Sequence, residues 1–137
     1  MADLSSIVNF SVNLKDVEAP NPLPAGEYTG AIRGAEVKES QRGTIYGAIS
    51  FFIGAEQYPA DFTDGNPDGM TLVYRRVSLE DNPQARYGCK RFVESIGAPL
   101  AKSVNVDEWV GMEASLEVVH EEYEGVTRPV IARVRAA

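Results

Sequence analysis

Residues 78–99 read SLEDNPQARYGCKRFVESIGAP, and this stretch decides the fold because it carries a helical repeat between stretches that look like β-strands. Asp81 or Asn82 can cap the amino end of a helix, and Pro83 suits its first turn. Gly97 ends the pattern, and Pro99 prevents the helix from resuming. The sequence therefore predicts one helix over residues 82–96. Its apolar stripe, at a spacing of about 3.6 residues, consists of Ala85, Cys89, Phe92, Val93 and Ile96.

The sequence on both sides of this helix alternates between apolar and polar residues, which is typical of β-strands. In the first strand the alternation slips by one residue near Gly34, which suggests a bulge or a sharp bend. Pro129 in the last strand cannot donate a ladder hydrogen bond, so that strand is predicted to lie at an edge or to carry a bulge. The predicted strands occupy residues 26–40, 44–55, 70–79, 112–123 and 126–136.

Three strands, one helix and two strands follow one another in the order of the OB-fold, a five-stranded and partly open barrel. The helix between strands three and four would then close one end of the barrel with its apolar stripe. We therefore expect an all-β chain with an OB-fold domain over residues 26–137. Other small β-architectures can also hold one helix.

Residues 1–25 are interpreted as an extended N-terminal arm, because the prolines in EAPNPLPAG forbid a helix there. Val8, Phe10, Val12 and Leu14 alternate along it and share one side. Such a segment can add a strand to its own subunit or to a neighbour. We predict that residues 1–22 mediate self-association, with a dimer favoured; an unstructured terminus is the alternative.

Composition argues against several classes of function. The chain has one cysteine and one histidine, which argues against an internal disulfide and against metal sites built from these residues. No Gly-rich phosphate loop or Ser-His-Asp spacing is present, and the acidic residues after His120 fit a solvated hairpin tip. We expect no enzymatic activity and no cofactor. No apolar run approaches the roughly 18 residues of a membrane span, and no signal peptide is recognised, so no membrane association is expected.

Residues 64–69, DGNPDG, match the first half of an EF-hand calcium loop. The twelfth position of that loop requires a bidentate glutamate, and here it is Arg75. Flanking helices are also missing from the pattern. We interpret the segment as a loop rich in turn residues and predict no metal site.

Aromatic and cationic residues cluster on the strands that an OB-fold uses to bind oligonucleotides. Tyr46 and Phe52 on strand two are predicted to lie beside Tyr74 and Arg76 on strand three. Proteins that bind single strands need aromatic faces for bases and cations for phosphates. The alternative is that the aromatics pack across strands and the arginines only solubilise the surface. The predicted stacking residues are Tyr46, Phe52 and Tyr74, and the predicted phosphate contacts are Arg33, Lys38, Arg42, Arg76 and Arg128.

A formal net charge of −7 is not the usual signature of a nucleic-acid-binding protein. The charge is unevenly placed, however: residues 1–70 carry ten acidic and four basic side chains, and residues 71–137 carry ten and nine. A local basic groove is therefore compatible with the acidic total.

Three stretches spread over most of the domain resemble a family of small bacteriophage proteins, long catalogued as of unknown function and grouped with phage single-stranded-DNA-binding OB-fold proteins. They read LPAGEYTGAIRGAEVKES, RRVSLEDNPQARYGCKRFVESIGAP and DEWVGMEASLEVVHEEYEG. The resemblance implies binding of single-stranded DNA during phage replication or recombination, in the cytoplasm of a bacterial host. Many replicative single-strand binders end in a flexible acidic tail, whereas this sequence ends in VIARVRAA. We therefore do not expect partner recruitment through a tail.

Two other functions remain open from the sequence. A capsid decoration protein or another structural phage protein could use the same small β-barrel and an ordered arm. An acidic protein that blocks a nucleic-acid-binding partner with its own carboxylates is the third possibility.

Overall fold

A computed structural model describes residues 6–137; the first five residues of the arm lie outside the described part. The described chain forms one five-stranded antiparallel sheet and one α-helix. Every predicted strand is present, with ends within two residues of the prediction. The elements are β1 (Gly26–Glu39), β2 (Ile45–Ile53), β3 (Met70–Ser78), α1 (Pro83–Ser95), β4 (Glu113–Tyr123) and β5 (Val126–Arg135).

The predicted signals fix both ends of α1. The Asn82 side chain accepts a hydrogen bond from the Ala85 amide at 2.9 Å, and Pro83 occupies the first turn. Gly97 adopts φ = +75°, the left-handed conformation that commonly ends helices and favours glycine. The predicted apolar stripe faces the sheet, with Phe92, Val93 and Ile96 buried.

The strands lie in the order β3-β2-β1-β4-β5, and each neighbouring pair is antiparallel. The long central strand β1 pairs with β2 through its second half and with β4 through its first half. The edges of the described sheet are β3 and β5, which do not pair with each other, so the sheet is not closed. The edge position of β5 confirms the prediction made from Pro129.

A two-residue turn at Glu124 and Gly125 joins β4 to β5. Both residues have positive φ, +52° and +78°. This conformation suits the right-handed twist of the two strands and explains the glycine.

Three bulges interrupt the sheet: one in β5, where Ala132 is the extra residue, and two, in β1 and β3, that change which side chains share the face described below. In β1, Ile32 pairs with Phe51 and Gly34 pairs with Ser50, so Arg33 is an extra residue. This confirms the bulge predicted near Gly34. A second bulge, between β2 and β3, is absent from the prediction and is described with the site below.

The core lies between the inner face of the sheet, α1 and a short 3-10 turn at Val106–Trp109. Phe92 of α1 packs on Trp109, with ring centroids 5.4 Å apart. Leu23, which was assigned to the arm, is fully buried in the same core. Its carbonyl accepts a hydrogen bond from His120 Nε2 at 2.8 Å, so packed structure begins before β1. The largest fully buried side chains are Phe51, Leu23, Ile32, Ile49, Ile53, Leu116, Val93 and Val118.

Gly30 sits where β1 passes from pairing with β4 to pairing with β2. It lies opposite Ala114, and a Cβ added there would overlap the side chain of Leu116, which is fully buried and cannot easily move. We expect Gly30→Val to lower the free energy of unfolding by about 1–3 kcal/mol through overpacking. Urea unfolding measures this, with Gly34→Ala as control because a Cβ there makes only ordinary contacts. Equal stabilities of the two variants would contradict the close approach.

Residues 6–25 contain no β-strand, and a 3-10 turn at Leu14–Asp16 is their regular element. The alternating side chains of the arm are mainly exposed, including Phe10 at 61%. In the described part of the arm, pairing with the sheet of the same chain is therefore not observed. Self-association through the arm remains a prediction.

Candidate nucleic-acid interface

The candidate site is the surface of β1, β2 and β3 that points away from the core, called here the outer face. Cross-strand pairs define it: Lys38 lies opposite Tyr46, and Phe52 lies opposite Thr71. Small residues, Ala48 and Ser50, separate Tyr46 from Phe52 along β2. The side chains of the outer face used below are Arg33, Lys38, Tyr46, Ala48, Ser50, Phe52, Val73, Arg75 and Arg76.

Phe52 lies six positions after Tyr46 on β2, which corresponds to about 20 Å along a strand. The stretch between these two aromatic residues, with the small side chains of Ala48 and Ser50, is called here the trough; Ala48 within it is 8% exposed. Cations flank the trough: Arg33 and Lys38 on β1, and the arginine pair of β3 on the opposite side.

The bulge of β1 brings Arg33 over Phe52. The guanidinium carbon lies 3.4 Å from the centroid of the Phe52 ring, which is a close cation–π stack. Arg33 is exposed and has no carboxylate within 4 Å among the described residues. A guanidinium plane can itself stack on a nucleobase. Arg33 and Phe52 thus form one layered platform that carries a positive charge.

Gly69 supports this platform from the loop before β3. It has φ = +93°, and a Cβ at this position would overlap the edge of the Phe52 ring and the Ile53 carbonyl. The turn therefore requires glycine both for its conformation and for the close approach of the aromatic ring.

The second bulge places two arginines side by side on β3. Gly47 pairs with Val77 and Ile49 pairs with Tyr74, so Arg75 and Arg76 together oppose the single residue Ala48. Both arginines are exposed. Regular alternation predicts Arg76 on this face but not Arg75, because it assigns Arg75 to the face of Val73 and Val77. Two adjacent arginines in a strand are the signal that could have suggested a bulge.

The prediction that Tyr74 lies on the same face as Tyr46 and Phe52 is wrong. Tyr74 pairs with the buried Ile49 and stacks on Phe92 of α1, with ring centroids 6.0 Å apart and 15° between the planes. Burial raises the pKa of its hydroxyl, although nearby Arg76 partly opposes the shift. The physical reason is the extra residue at the bulge, which keeps both Tyr74 and Val77 on the core side.

The other predicted cations are distributed around the outer face. Lys38 lies on it and is partly neutralised by Glu36, whose carboxylate is 3.5 Å away. Arg42 lies in the turn between β1 and β2 and has no carboxylate within 4 Å among the described residues. Arg128 lies on β5, pairs with Glu121 at 3.0 Å and rests 5.2 Å from the Tyr123 ring centroid.

A cleft of about 300 Å³ separates β3 from β5 and joins Arg128 to the outer face. Arg75 and Arg76 line one side of it, and Arg128 and Pro129 line the other. Glu121 is the acidic residue in this lining. The unpaired edges of the sheet therefore meet at a basic cleft.

The opposite end of the sheet has a different electrostatic character. On β1, β4 and β5, Arg135 lies 3.3 Å from Glu27 and 3.6 Å from Glu117, and Arg133 lies 3.8 Å from Glu117. Arg133 and Arg135 therefore form ion pairs. In the described part of the chain, Arg33, Arg75 and Arg76 have no carboxylate within 4 Å. The outer face therefore carries three arginines that have no acidic partner within that distance among the described residues.

Other kinds of site find little support in residues 6–137. No group of three or more His, Cys, Asp or Glu side chains in this part of the chain could hold a metal ion. None of its helices has the length and apolar character needed to cross a membrane. Burial raises the pKa of the Cys89 thiol, so this cysteine is less reactive than an exposed one.

Comparison with known proteins gives no family assignment. No family model matches the chain. The curated proteins searched contain no matching sequence.

Proposed function

We propose that the protein binds single-stranded DNA along the outer face, without catalysing a reaction, and serves replication or recombination of a bacteriophage in the cytoplasm of its host. The observation that carries the proposal is the stack of Arg33 on Phe52 at one end of the trough. Base stacking on aromatic side chains and contacts of cations with phosphates are the two interactions that single-strand binders combine.

The outer face supports this proposal because its aromatic rings and its cations lie beside the same strand, β2. A base can stack on Tyr46 at one end and on the Arg33–Phe52 platform at the other. Ser50, which is half-buried and has a small side chain, lies between these two ends, where the intervening nucleotides would pass. Arg75 and Arg76 on one side of the trough and Arg33 and Lys38 on the other can contact the phosphates.

We further propose that the domain is an OB-fold barrel. The strand order, the antiparallel pairing and the helix between β3 and β4 are those of that fold. The approach of β3 to β5 around the basic cleft supports a partly open barrel. In an OB-fold the outer faces of strands two and three form the binding surface, which corresponds here to Tyr46, Phe52, Arg75 and Arg76.

Preference for single strands over duplex follows from the same chemistry. Bases in a duplex have no free faces for Tyr46 or Phe52 to stack on. The net charge of −7 also opposes the approach of two phosphate backbones. A trough with a few local cations suits one flexible strand better.

We expect the arginines of the outer face to set the salt dependence of binding. Each phosphate contact to a single strand contributes about 0.7 to the slope of log K against log salt. Arg76→Ala should therefore reduce the magnitude of that slope by about 0.7, and Arg75→Ala and Arg42→Ala should do the same if each contacts a phosphate. Fluorescence anisotropy of a labelled poly-dT oligonucleotide, titrated at several salt concentrations, measures the slopes.

Arg133→Ala is the matched control, because Arg133 is exposed but lies beside Glu117 at the other end of the sheet. It should leave the slope unchanged. Equal effects of Arg133→Ala and Arg76→Ala would mean that general charge, and not the outer face, attracts the DNA. If the unaltered protein does not bind poly-dT at low salt, or binds duplex more tightly, the proposal fails and a structural role in the virion becomes the better hypothesis.

A further inference from the structure

The stack of Arg33 on Phe52 has two layers that differ in their access to solvent. The guanidinium carbon lies 3.4 Å from the ring centroid, which is close to the contact distance of two flat groups, so a base cannot enter between them. Arg33 is exposed, whereas Phe52 is half-buried. The ring face that bears Arg33 is therefore covered, and the guanidinium is the layer that a ligand meets first.

A neighbouring glycine fixes the position of the inner layer. Gly69 has φ = +93°, and a Cβ there would overlap two atoms of the Phe52 ring and the Ile53 carbonyl. A residue with a side chain at this position must therefore displace the ring and the guanidinium stacked on it. The position of the guanidinium consequently depends on Phe52 and, through Phe52, on Gly69.

We propose that a base of the single strand stacks on the Arg33 guanidinium, and that Phe52 and Gly69 are positioning residues for it. The inference rests on the proposed function and goes beyond it, because it assigns the base contact of this platform to a cation. A guanidinium is planar, can stack on a nucleobase and is more weakly hydrated than an ammonium group. Binding then requires the planar shape of the Arg33 side chain in addition to its charge.

The surroundings of Arg33 leave it available for this role. It is the extra residue of the β1 bulge, so it has no cross-strand partner on β2. It also has no carboxylate within 4 Å among residues 6–137, whereas Lys38 on the same strand lies 3.5 Å from Glu36. The Phe52 ring orders the guanidinium before DNA arrives, and such ordering lowers the entropic cost of binding.

Two other arrangements use the same residues and predict different results. In the first, Arg33 contacts a phosphate and no base. In the second, a base displaces the guanidinium and stacks directly on Phe52, so that Arg33 contributes little. Exchange of arginine for lysine separates these arrangements from the proposal, because the charge stays and the planar group is lost.

We expect Arg33→Lys to raise the dissociation constant for poly-dT about 5- to 150-fold, the range for losing one stacking surface. The slope of log K against log salt should stay unchanged, because the positive charge remains. Arg133→Lys is the matched control, since it makes the same exchange at an exposed arginine outside the outer face and should not change affinity. Fluorescence anisotropy at several salt concentrations measures both variants. Unchanged affinity of Arg33→Lys would overturn the inference.

An oligonucleotide of the same length whose sugars carry no bases identifies the group that Arg33 contacts. Its phosphates remain, so a phosphate contact predicts the same loss for Arg33→Lys as on poly-dT. Stacking on a base predicts that Arg33→Lys and the unaltered protein bind the abasic strand with equal affinity. The titration is done at low salt, where phosphate contacts are strongest. An equal loss on the two strands would overturn the inference.

Gly69→Ala tests the positioning role. Its methyl group should displace the Phe52 ring, so we expect weaker binding to poly-dT and unchanged binding to the abasic strand. Gly97→Ala is the control: it imposes a similar left-handed conformation, with φ = +75°, but its Cβ would meet nothing within 4 Å. Gly97→Ala should leave affinity unchanged, and urea unfolding establishes that both variants are folded during the titration. Equal affinities of the two variants for poly-dT would overturn the positioning role of Gly69.

The unaltered protein separates failure of this inference from failure of the proposed function. If it does not bind poly-dT, the proposed function fails and the inference fails with it. If it binds poly-dT and Arg33→Lys binds equally well, the proposed function stands, and the assignment of the base contact to Arg33 is wrong.

Discussion

Phe92→Ala should lower the free energy of unfolding by about 3–5 kcal/mol, the range for truncating a buried aromatic side chain. Phe92 is only 6% exposed and contacts two other rings, Tyr74 on β3 and Trp109 in the 3-10 turn. Its removal would leave a cavity where the helix, the sheet and the 3-10 turn meet. Because α1, the sheet and the 3-10 turn surround this cavity, neighbouring side chains can fill it only in part. Urea unfolding followed by tryptophan fluorescence measures the loss, with Trp109 itself as the reporter.

Tyr87→Ala is the matched control on the same helix, because the Tyr87 ring is largely exposed. We expect it to change stability by no more than about 0.5 kcal/mol, as most surface substitutions do. Tyr74→Ala should be destabilising too, since it removes the ring stacked on Phe92. If Phe92→Ala proved as mild as Tyr87→Ala, the helix would not be packed on the sheet as described.

The helix could be predicted from the sequence because its signals are local. Asn82, Pro83 and Gly97 act on the backbone within one turn of themselves, and the stripe that includes Phe92 repeats at the helical period. The strand order within the sheet is less local. The succession of elements predicted five strands and their places along the chain, and the structure shows that they form one antiparallel sheet with β1 at its centre.

The faces of the strands could be predicted only where alternation is regular. The β1 bulge was visible because apolar residues change phase on either side of Gly34. The β3 bulge was not, because Val73, Arg75 and Val77 alternate as if they shared one face. The pairing of β3 with β2 breaks this alternation, because Tyr74 lies opposite Ile49 and Val77 lies opposite Gly47. Register of this kind depends on a partner strand more than twenty residues away, which no local pattern encodes.

The same bulges help to explain why three arginines without acidic partners lie together on one surface of an acidic protein. An extra residue in β1 places Arg33 on Phe52, and an extra residue in β3 adds Arg75 to Arg76. Without the two bulges, regular alternation would direct part of this charge to the core side. Bulges often lie near functional sites because they redirect side chains. Two of the three irregularities of the sheet thus lie in the candidate site.

Phe52→Ala should weaken binding to poly-dT by about 1–3 kcal/mol, the range for losing one stacking platform. This corresponds to a dissociation constant about 5- to 150-fold higher. Tyr46→Ala should produce a loss of the same order, because it removes the aromatic residue at the other end of the trough. Tyr46→Ala should also leave the salt slope unchanged, since it removes no phosphate contact. Phe52→Ala additionally frees Arg33 from its stack, so Arg33→Ala in the Phe52→Ala background should cost less affinity than Arg33→Ala alone.

Tyr87→Ala controls for a general effect of removing an aromatic residue, because Tyr87 is exposed on α1 and lies outside the outer face. It should leave poly-dT affinity within about twofold of the unaltered protein, a difference of roughly 0.4 kcal/mol. Thermal unfolding of each variant establishes that Phe52→Ala remains folded at the temperature of the titration. Affinity that survives both Phe52→Ala and Tyr46→Ala, yet falls with Tyr87→Ala, would move the binding surface from the outer face to the exposed side of α1. Additive costs of Arg33→Ala and Phe52→Ala would instead show that the two side chains contact DNA independently, and the layered platform would then be the wrong description.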